Sequence, residues 1–202
     1  MAEARATQKQ APHPTLTSHR VSCLIDFFNV VPRVEAPADV YDALNSIFSA
    51  LRASVPRPDH GVVELDVRLY GGWVTMSNAH SQAATWLLQA LAIARGLYGG
   101  YRILPSCVFT LAEVPHVPLI GTVRRGGQKM VDTMICLDLL HFATADVPVV
   151  VMSDDDDMLP ALLVAASRGP RDLRLVRRRA LGVGKNDHCL SATNYTIQVY
   201  TY

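Results

Sequence analysis

Four consecutive aspartates, Asp154, Asp155, Asp156 and Asp157, follow Ser153 at the end of the apolar run Val149-Val150-Val151-Met152. A second apolar segment opens at once with Met158-Leu159-Pro160. Adjacent carboxylates repel one another, and the repulsion is relieved by a cation, by the N–H groups of a helix start or by exposure to water. Asp26, with Asn29 just beyond it, ends another apolar run, and Asp132 opens a segment with helical spacing. Carboxylates gathered from separate segments suit a hard cation such as Mg²⁺, which takes oxygen ligands. Two such ions roughly 4 Å apart activate a water and stabilise the leaving oxygen of a phosphodiester. The acids between Asp132 and Asp157 number seven of the chain's eighteen and are all aspartates, whose short side chains hold position better than glutamates.

The elements that would position these groups follow from hydrophobic spacing. Residues 21–28 read as a buried strand, and residues 39–53 as a helix with Val40, Leu44, Ile47, Phe48 and Leu51 on one face. Residues 62–70 alternate as a strand and stop at Gly71-Gly72. Residues 81–98 form the longest helical pattern, ended by Gly99-Gly100, and residues 103–109 a third strand. Residues 111–128, with Arg124 and Arg125, form a long irregular loop of the kind that carries function. A helix over 131–142, a covered strand over 147–152, a helix over 158–167 and a strand over 172–176 complete the pattern. Residues 196–202 offer a last, edge strand. Pro160 falls in the first turn of its helix, where it is tolerated. Alternating strands and helices predict a mostly parallel sheet with helices on both faces. In such a sheet Asp26, Asn29, Asp132 and the aspartate run all reach the carboxyl edge.

Composition sets the bounds. The chain has 202 residues, half of them hydrophobic, enough for one core, and a net charge of +1 gives no global attraction to nucleic acid or membrane. Charge is unevenly spread: residues 168–185 hold seven basic residues against one acid, Asp172. An acidic centre beside a basic stretch suits a polyanion held near metal ions. The four cysteines form no CxxC pair, which predicts buried free thiols in a reducing cytoplasm. Residues 1–19 read as a polar, flexible tail without a signal-peptide core, leaving 20–202 as one domain with no membrane span. Gly182-Val183-Gly184-Lys185 lacks the offsets of a P-loop, and no serine-hydrolase or Cys–His motif is present. The tail and the Val/Tyr-rich end offer surface for a second copy or another protein partner.

Four stretches carry a family resemblance. Lys129-Met130-Val131-Asp132-Thr133-Met134-Ile135-Cys136-Leu137-Asp138-Leu139-Leu140 resembles K-G-V-D-x-x-L-x-x-D-L-L, and residues 153–158 with Pro160 resemble S-G-D-G-D-F-x-P. Leu24-Ile25-Asp26-Phe27-Phe28-Asn29 resembles an opening I-D-x-x-N, and RLYGGW, residues 68–73, resembles the end of a second strand. In this order, over about residues 21–178, they resemble an NYN domain of the LabA-like branch, within the PIN-like nuclease superfamily. The resemblance implies a Rossmann-like three-layer α/β/α sandwich and an endoribonuclease, a hydrolase that cuts RNA with Mg²⁺ or Mn²⁺. By matching position, Asp26, Asp132, Asp155 and Asp157 would ligate metal, and Asn29 would position water or phosphate. Ser153, Asp154, Asp156 and Asp138 would support that set from behind. Asp138 lies six residues past Asp132, about 240° around a helix, so the two do not share a metal. Arg124, Arg125, Lys129, Arg177, Arg178 and Arg179 would guide the RNA backbone. Asp154, Asp156 and Met130 stand where the pattern has glycines, which serve a positive φ or a close approach. The same residues admit two other readings: an inactive NYN-type module that binds RNA or protein, and another Mg²⁺-dependent phosphoesterase.

Overall fold

The computed structural model describes residues 18–31, 33–55, 62–73, 75, 77, 79–98, 101–104, 107–111, 122–124, 127–169, 172–180, 182–191 and 197–202. In chain order the elements are β1 (Ser18–Asp26), α1 (Phe27–Val30), α2 (Pro37–Ser54), β2 (Val62–Tyr70) and α3 (Gln82–Tyr98). There follow β3 (Tyr101–Leu104), β4 (Cys107–Leu111), β5 (Thr122–Arg124), β6 (Gly127–Lys129), α4 (Val131–Thr144) and β7 (Val149–Met152). A 3₁₀ turn (Asp156–Met158), α5 (Leu159–Arg168), β8 (Leu173–Arg177), α6 (His188–Ser191) and β9 (Ile197–Thr201) complete the chain.

Seven strands form one sheet in the order β3-β4-β2-β1-β7-β8-β9, and β5 with β6 makes a separate antiparallel ribbon. Every neighbouring pair in the large sheet is parallel except β3 with β4 at its edge. The central strands are buried on both faces, which is why they read as apolar runs rather than alternations. Val21, Cys23 and Ile25 of β1 pack with Val150 and Met152 of β7 and with the apolar stripes of α2 and α3. Leu24, Val149 and Val151 face the opposite way, onto Val131, Ile135 and Leu139 of α4 and Leu162 of α5. The fold is thus the expected α/β class, a Rossmann-like α/β/α sandwich with a mostly parallel central sheet.

Several boundaries depart from the expectation. Pairing of Ser18 with Val62 carries β1 into the span read as tail, because a strand end needs only backbone partners. The strand also stops at Asp26 instead of Phe28. In a strand Phe27 and Phe28 would point to opposite faces. The single turn of α1 instead lays both rings against Trp73, with centroids 5.3 and 5.2 Å away. Gly71 makes room for this cluster, since a Cβ there would stand 2.8 Å from Trp73 and 2.9 Å from Phe28. The expected strand over 103–109 is two antiparallel strands, β3 and β4, and Pro105 interrupts that run in the sequence. The basic loop carries the β5–β6 ribbon.

Candidate active site

The topology puts a switch point between β1 and β7. From β1 the chain moves outward to β2 and β4, then returns to β7 on the other side of β1 and moves outward to β8 and β9. Ligands of open α/β sheets bind in the crevice at the carboxyl ends of two such strands. Asp26 is the last residue of β1, and Ser153 with the four aspartates follows β7 directly. Asp132 reaches the same edge from the first turn of α4.

Asp26 is 1% exposed. Its Oδ2 accepts a hydrogen bond from Ser153 Oγ at 3.2 Å, and its Oδ1 is buried without a partner among the described residues. Burial and the charges of Asp132 and Asp155 push its pKa up to about 6, against the restraining Ser153 hydrogen bond and the nearby Asn29 N–H dipole. Asp132 is also raised, first by burial and then by Asp155 and Asp157. Asp26 thus lies in the field of Asp132 and Asp155, and Asp132 in that of Asp155 and Asp157. Ser153 Oγ also accepts the Asp155 N–H at 3.1 Å, so a single hydroxyl joins the end of β1 to the acidic turn. Asp155 caps the 3₁₀ turn by accepting the Asp157 N–H at 2.9 Å. Asp157 is exposed.

The other two aspartates face away from this group and toward the arginine run. Asp154 Oδ1 accepts the Arg178 N–H at 2.7 Å, and its Oδ2 lies 2.5 Å from Arg178 Nε. Asn29 closes the same corner: its side-chain oxygen accepts the Asp154 N–H at 2.7 Å, and its carbonyl accepts from Arg178 Nη2 at 2.9 Å. Asp156 pairs with Arg177 at 2.8 Å and with Arg179, and accepts from Asn186 Nδ2 at 3.2 Å. Arg177 is 0% exposed, with its other amino group on Asp187 at 2.8 Å. Arg177 is therefore no surface contact for RNA, which corrects the expectation: it is a buried cation held between two carboxylates. Arg178 and Arg179 are committed to the aspartates as well, and Asn29 fastens the acidic turn. Asp154 and Asp156 have no positive φ, so the glycines of the resembled pattern are replaced there without backbone strain. Met130 differs, adopting φ 64° and ψ 8° at the start of α4, a left-handed position that favours glycine.

Asp138 sits apart from the acid group. Its Oδ2 accepts from Tyr70 Oη at 2.5 Å and from Arg68 Nη1 at 3.0 Å, fastening α4 to the end of β2. Tyr70 pairs in register with Asp26, so this contact sets how far α4 carries Asp132 over the site. Burial and the Asp138 hydrogen bond raise the Tyr70 phenol, which keeps it a donor. Tyr70, Arg68 and Asp187 were not among the sequence candidates. The two glycines three and five residues before Asp187 were the available signal: its Oδ2 accepts the N–H groups of Gly182 and Gly184, each at 2.8 Å. The segment that fails as a P-loop thus cradles the protein's own carboxylate. Arg125 lies outside the described residues, and of Arg124 and Lys129 only the backbone, in β5 and β6, is described.

A hard divalent cation suits this site in kind. All donors are carboxylate oxygens, one buried oxygen of Asp26 has no partner, and neighbouring acids add to the burial that raises the pKa of Asp26 and of Asp132. Among the described residues, however, no group of three or more His, Cys, Asp or Glu side chains is gathered closely enough to hold a metal ion as it stands. Cys23, Cys136 and Cys189 are free thiols. No helix among the described residues is long and apolar enough to cross a membrane. Comparison with protein-family models, with curated proteins and with solved structures finds no match. Fold and site together define a class: an α/β/α sandwich with aspartates from β1, α4 and the turn after β7 at the carboxyl edge of its topological switch point.

Proposed function

We propose that this chain is a metal-dependent endoribonuclease of NYN type, hydrolysing RNA phosphodiester bonds at the carboxyl ends of β1 and β7. The observation that carries this reading is the unpartnered, buried Asp26 oxygen facing other carboxylates at the switch point. A buried carboxylate oxygen without a hydrogen-bond partner is costly, and a catalytic role is a common reason for keeping one. Asp26, Asp132, Asp155 and Asp157 would hold Mg²⁺ or Mn²⁺, which when bound lowers the pKa of a water and polarises a phosphoryl oxygen. Ser153 keeps Asp26 and Asp155 aligned, and Asn29 with Arg178 holds the turn that presents Asp155 and Asp157. Free thiols suit a reducing compartment, and we assign the cytoplasm.

One observation favours a second reading, an inactive module that binds RNA or protein. Three of the arginines expected to meet a phosphate backbone, Arg177, Arg178 and Arg179, are committed to Asp154 and Asp156. The deciding experiment is cleavage of labelled single-stranded RNA, structured RNA and DNA with Mg²⁺, Mn²⁺ or EDTA, wild type beside Asp155→Asn. Asparagine retains the cap acceptor for the Asp157 N–H while removing the charge. Metal-dependent cutting of RNA that disappears in the variant supports the enzyme. A folded protein that binds Mn²⁺ without cutting supports the module, and one that neither cuts nor binds Mn²⁺ removes the metal site.

A further inference from the structure

Beside the acidic turn lies a cleft of about 270 Å³ whose floor includes Val30, Ala43 and Ile47. Its rim carries Asp42 and Ser46 from one stripe of α2, and the ring of Tyr202 just past β9. We propose that this cleft is a nucleobase subsite, taking an amino-bearing base of the nucleotide next to the bond that is cut. The proposal rests on the phosphodiester reading above and names the substrate contact that would accompany it.

Three observations carry it. The first is position. Thr201 pairs with Arg177, so Tyr202 emerges at the same carboxyl edge as the aspartates. Asn29 holds the Asp154 N–H and Arg178, and the next residue, Val30, lines the cleft. The cleft therefore adjoins the acidic turn on this side. The second is unspent polar capacity. Asp39 is used up at the start of α2, accepting the N–H groups of Glu35 and Ala36 at 2.7 and 2.8 Å, and Arg33 pairs with Glu35 at 2.6 Å. Asp42 and Ser46 have no such partner among the described residues, and both are exposed. The third is shape and surface. The volume, about 270 Å³, is just below the usual range for drug-sized ligands, which suits a small planar group, and the cleft has an apolar floor and an aromatic wall. The Tyr202 hydroxyl donates one long hydrogen bond, 3.5 Å to the Val30 carbonyl, and its ring lines the cleft as a surface on which a base can stack.

The chemistry selects the base. A carboxylate accepts only, so Asp42 matches the exocyclic amino groups of guanine, adenine and cytosine. Uracil has no amino group and places a carbonyl oxygen where the carboxylate would repel it. The test is a titration of the full chain in EDTA with 5′-GMP, AMP, CMP and UMP, followed by NMR shifts, so that no metal site contributes. Saturable binding is expected, several-fold tighter for the amino-bearing bases than for UMP. Tyr202→Ala is expected to weaken it by about tenfold, the order set by loss of one base–aromatic stack. Asp42→Ala is expected to erase the preference over UMP, and both variants change exposed positions whose folding circular dichroism verifies. No binding of any mononucleotide overturns the subsite, as does binding that neither variant alters. Binding of a lysine-rich peptide in its place also overturns it, reassigning the cleft to a basic protein segment. Failure of the nuclease reading is separable: cleavage would be absent while GMP binding persisted and remained intact in Asp155→Asn.

Discussion

Replacing Asp26 with asparagine should stabilise the metal-free protein, although it alters the most deeply buried carboxylate of the site. The Asp26 carboxyl holds its proton up to about pH 6, against roughly 3.9 in an unfolded chain. The native state therefore binds more protons between these values, and stability falls as pH rises from about 4 to about 6. The full difference is about 3 kcal/mol and persists at neutral pH. Asparagine keeps an acceptor for the Ser153 hydroxyl and puts an amide where Oδ1 has no partner, which returns about 1 kcal/mol of the gain. A net gain of about 2 kcal/mol remains, or roughly 4–8 °C for a chain of this size. Thermal unfolding in EDTA at pH 4, 5, 6 and 7.5 measures it, and the advantage of the variant should vanish at pH 4. Saturating Mn²⁺ should then narrow or invert the order, since a cation bound to the native acids stabilises wild type alone, by about 2.7 kcal/mol at a hundredfold excess over Kd. A variant less stable than wild type in EDTA at pH 7.5, or a difference that ignores pH, would refute the reasoning.

Two further substitutions test the frame around the site. Met130→Gly should raise stability by about 0.5–1 kcal/mol, because the left-handed backbone costs methionine roughly 1–2 kcal/mol and glycine returns part of this as chain entropy. Met130 is 57% exposed, so little packing is lost, and a lower midpoint in urea would contradict the assignment. Asp187→Ala should cost about 3–5 kcal/mol, since it strips one carboxylate from the buried Arg177 and frees the N–H groups of Gly182 and Gly184. Burial pushes the Asp187 carboxyl up, but those N–H groups and the Arg177 and Arg179 guanidinium groups outweigh it and hold the carboxyl below the usual range. The difference between wild type and variant should accordingly be full at neutral pH and shrink as pH falls below about 4. A urea-unfolding difference under about 1 kcal/mol at pH 7 would show that Arg177 does not depend on this pair.

The parts of the fold legible in the sequence were those in which burial alone decides. β7 is apolar because helices cover both its faces, and α2 and α4 carry stripes because each packs one face. What escaped was decided by long-range contact. Phe27 and Phe28 read as strand, yet Trp73, 45 residues further on, gathers both rings into a turn. Asp138 matched a motif, but its partners Tyr70 and Arg68 come from another strand, and no local pattern names them.

The aspartate and arginine runs make the same point about charge. In sequence they are two patches of opposite sign, about 20 residues apart, and the basic one invites a reading as a phosphate-binding surface. Their relation follows from sheet register. Met152 of β7 pairs with Val176 of β8, so extending both strands by two residues brings Asp154 opposite Arg178. The arginines thus neutralise the two aspartates that replace glycines in the resembled pattern, and they do so inside the protein. Asp155 and Asp157 are left without a cationic partner among the described residues, on the side toward Asp26 and Asp132. A residue pair that departs from the pattern is therefore matched by an internal counter-charge, and the carboxylates that keep the pattern are the ones left free to meet a cation.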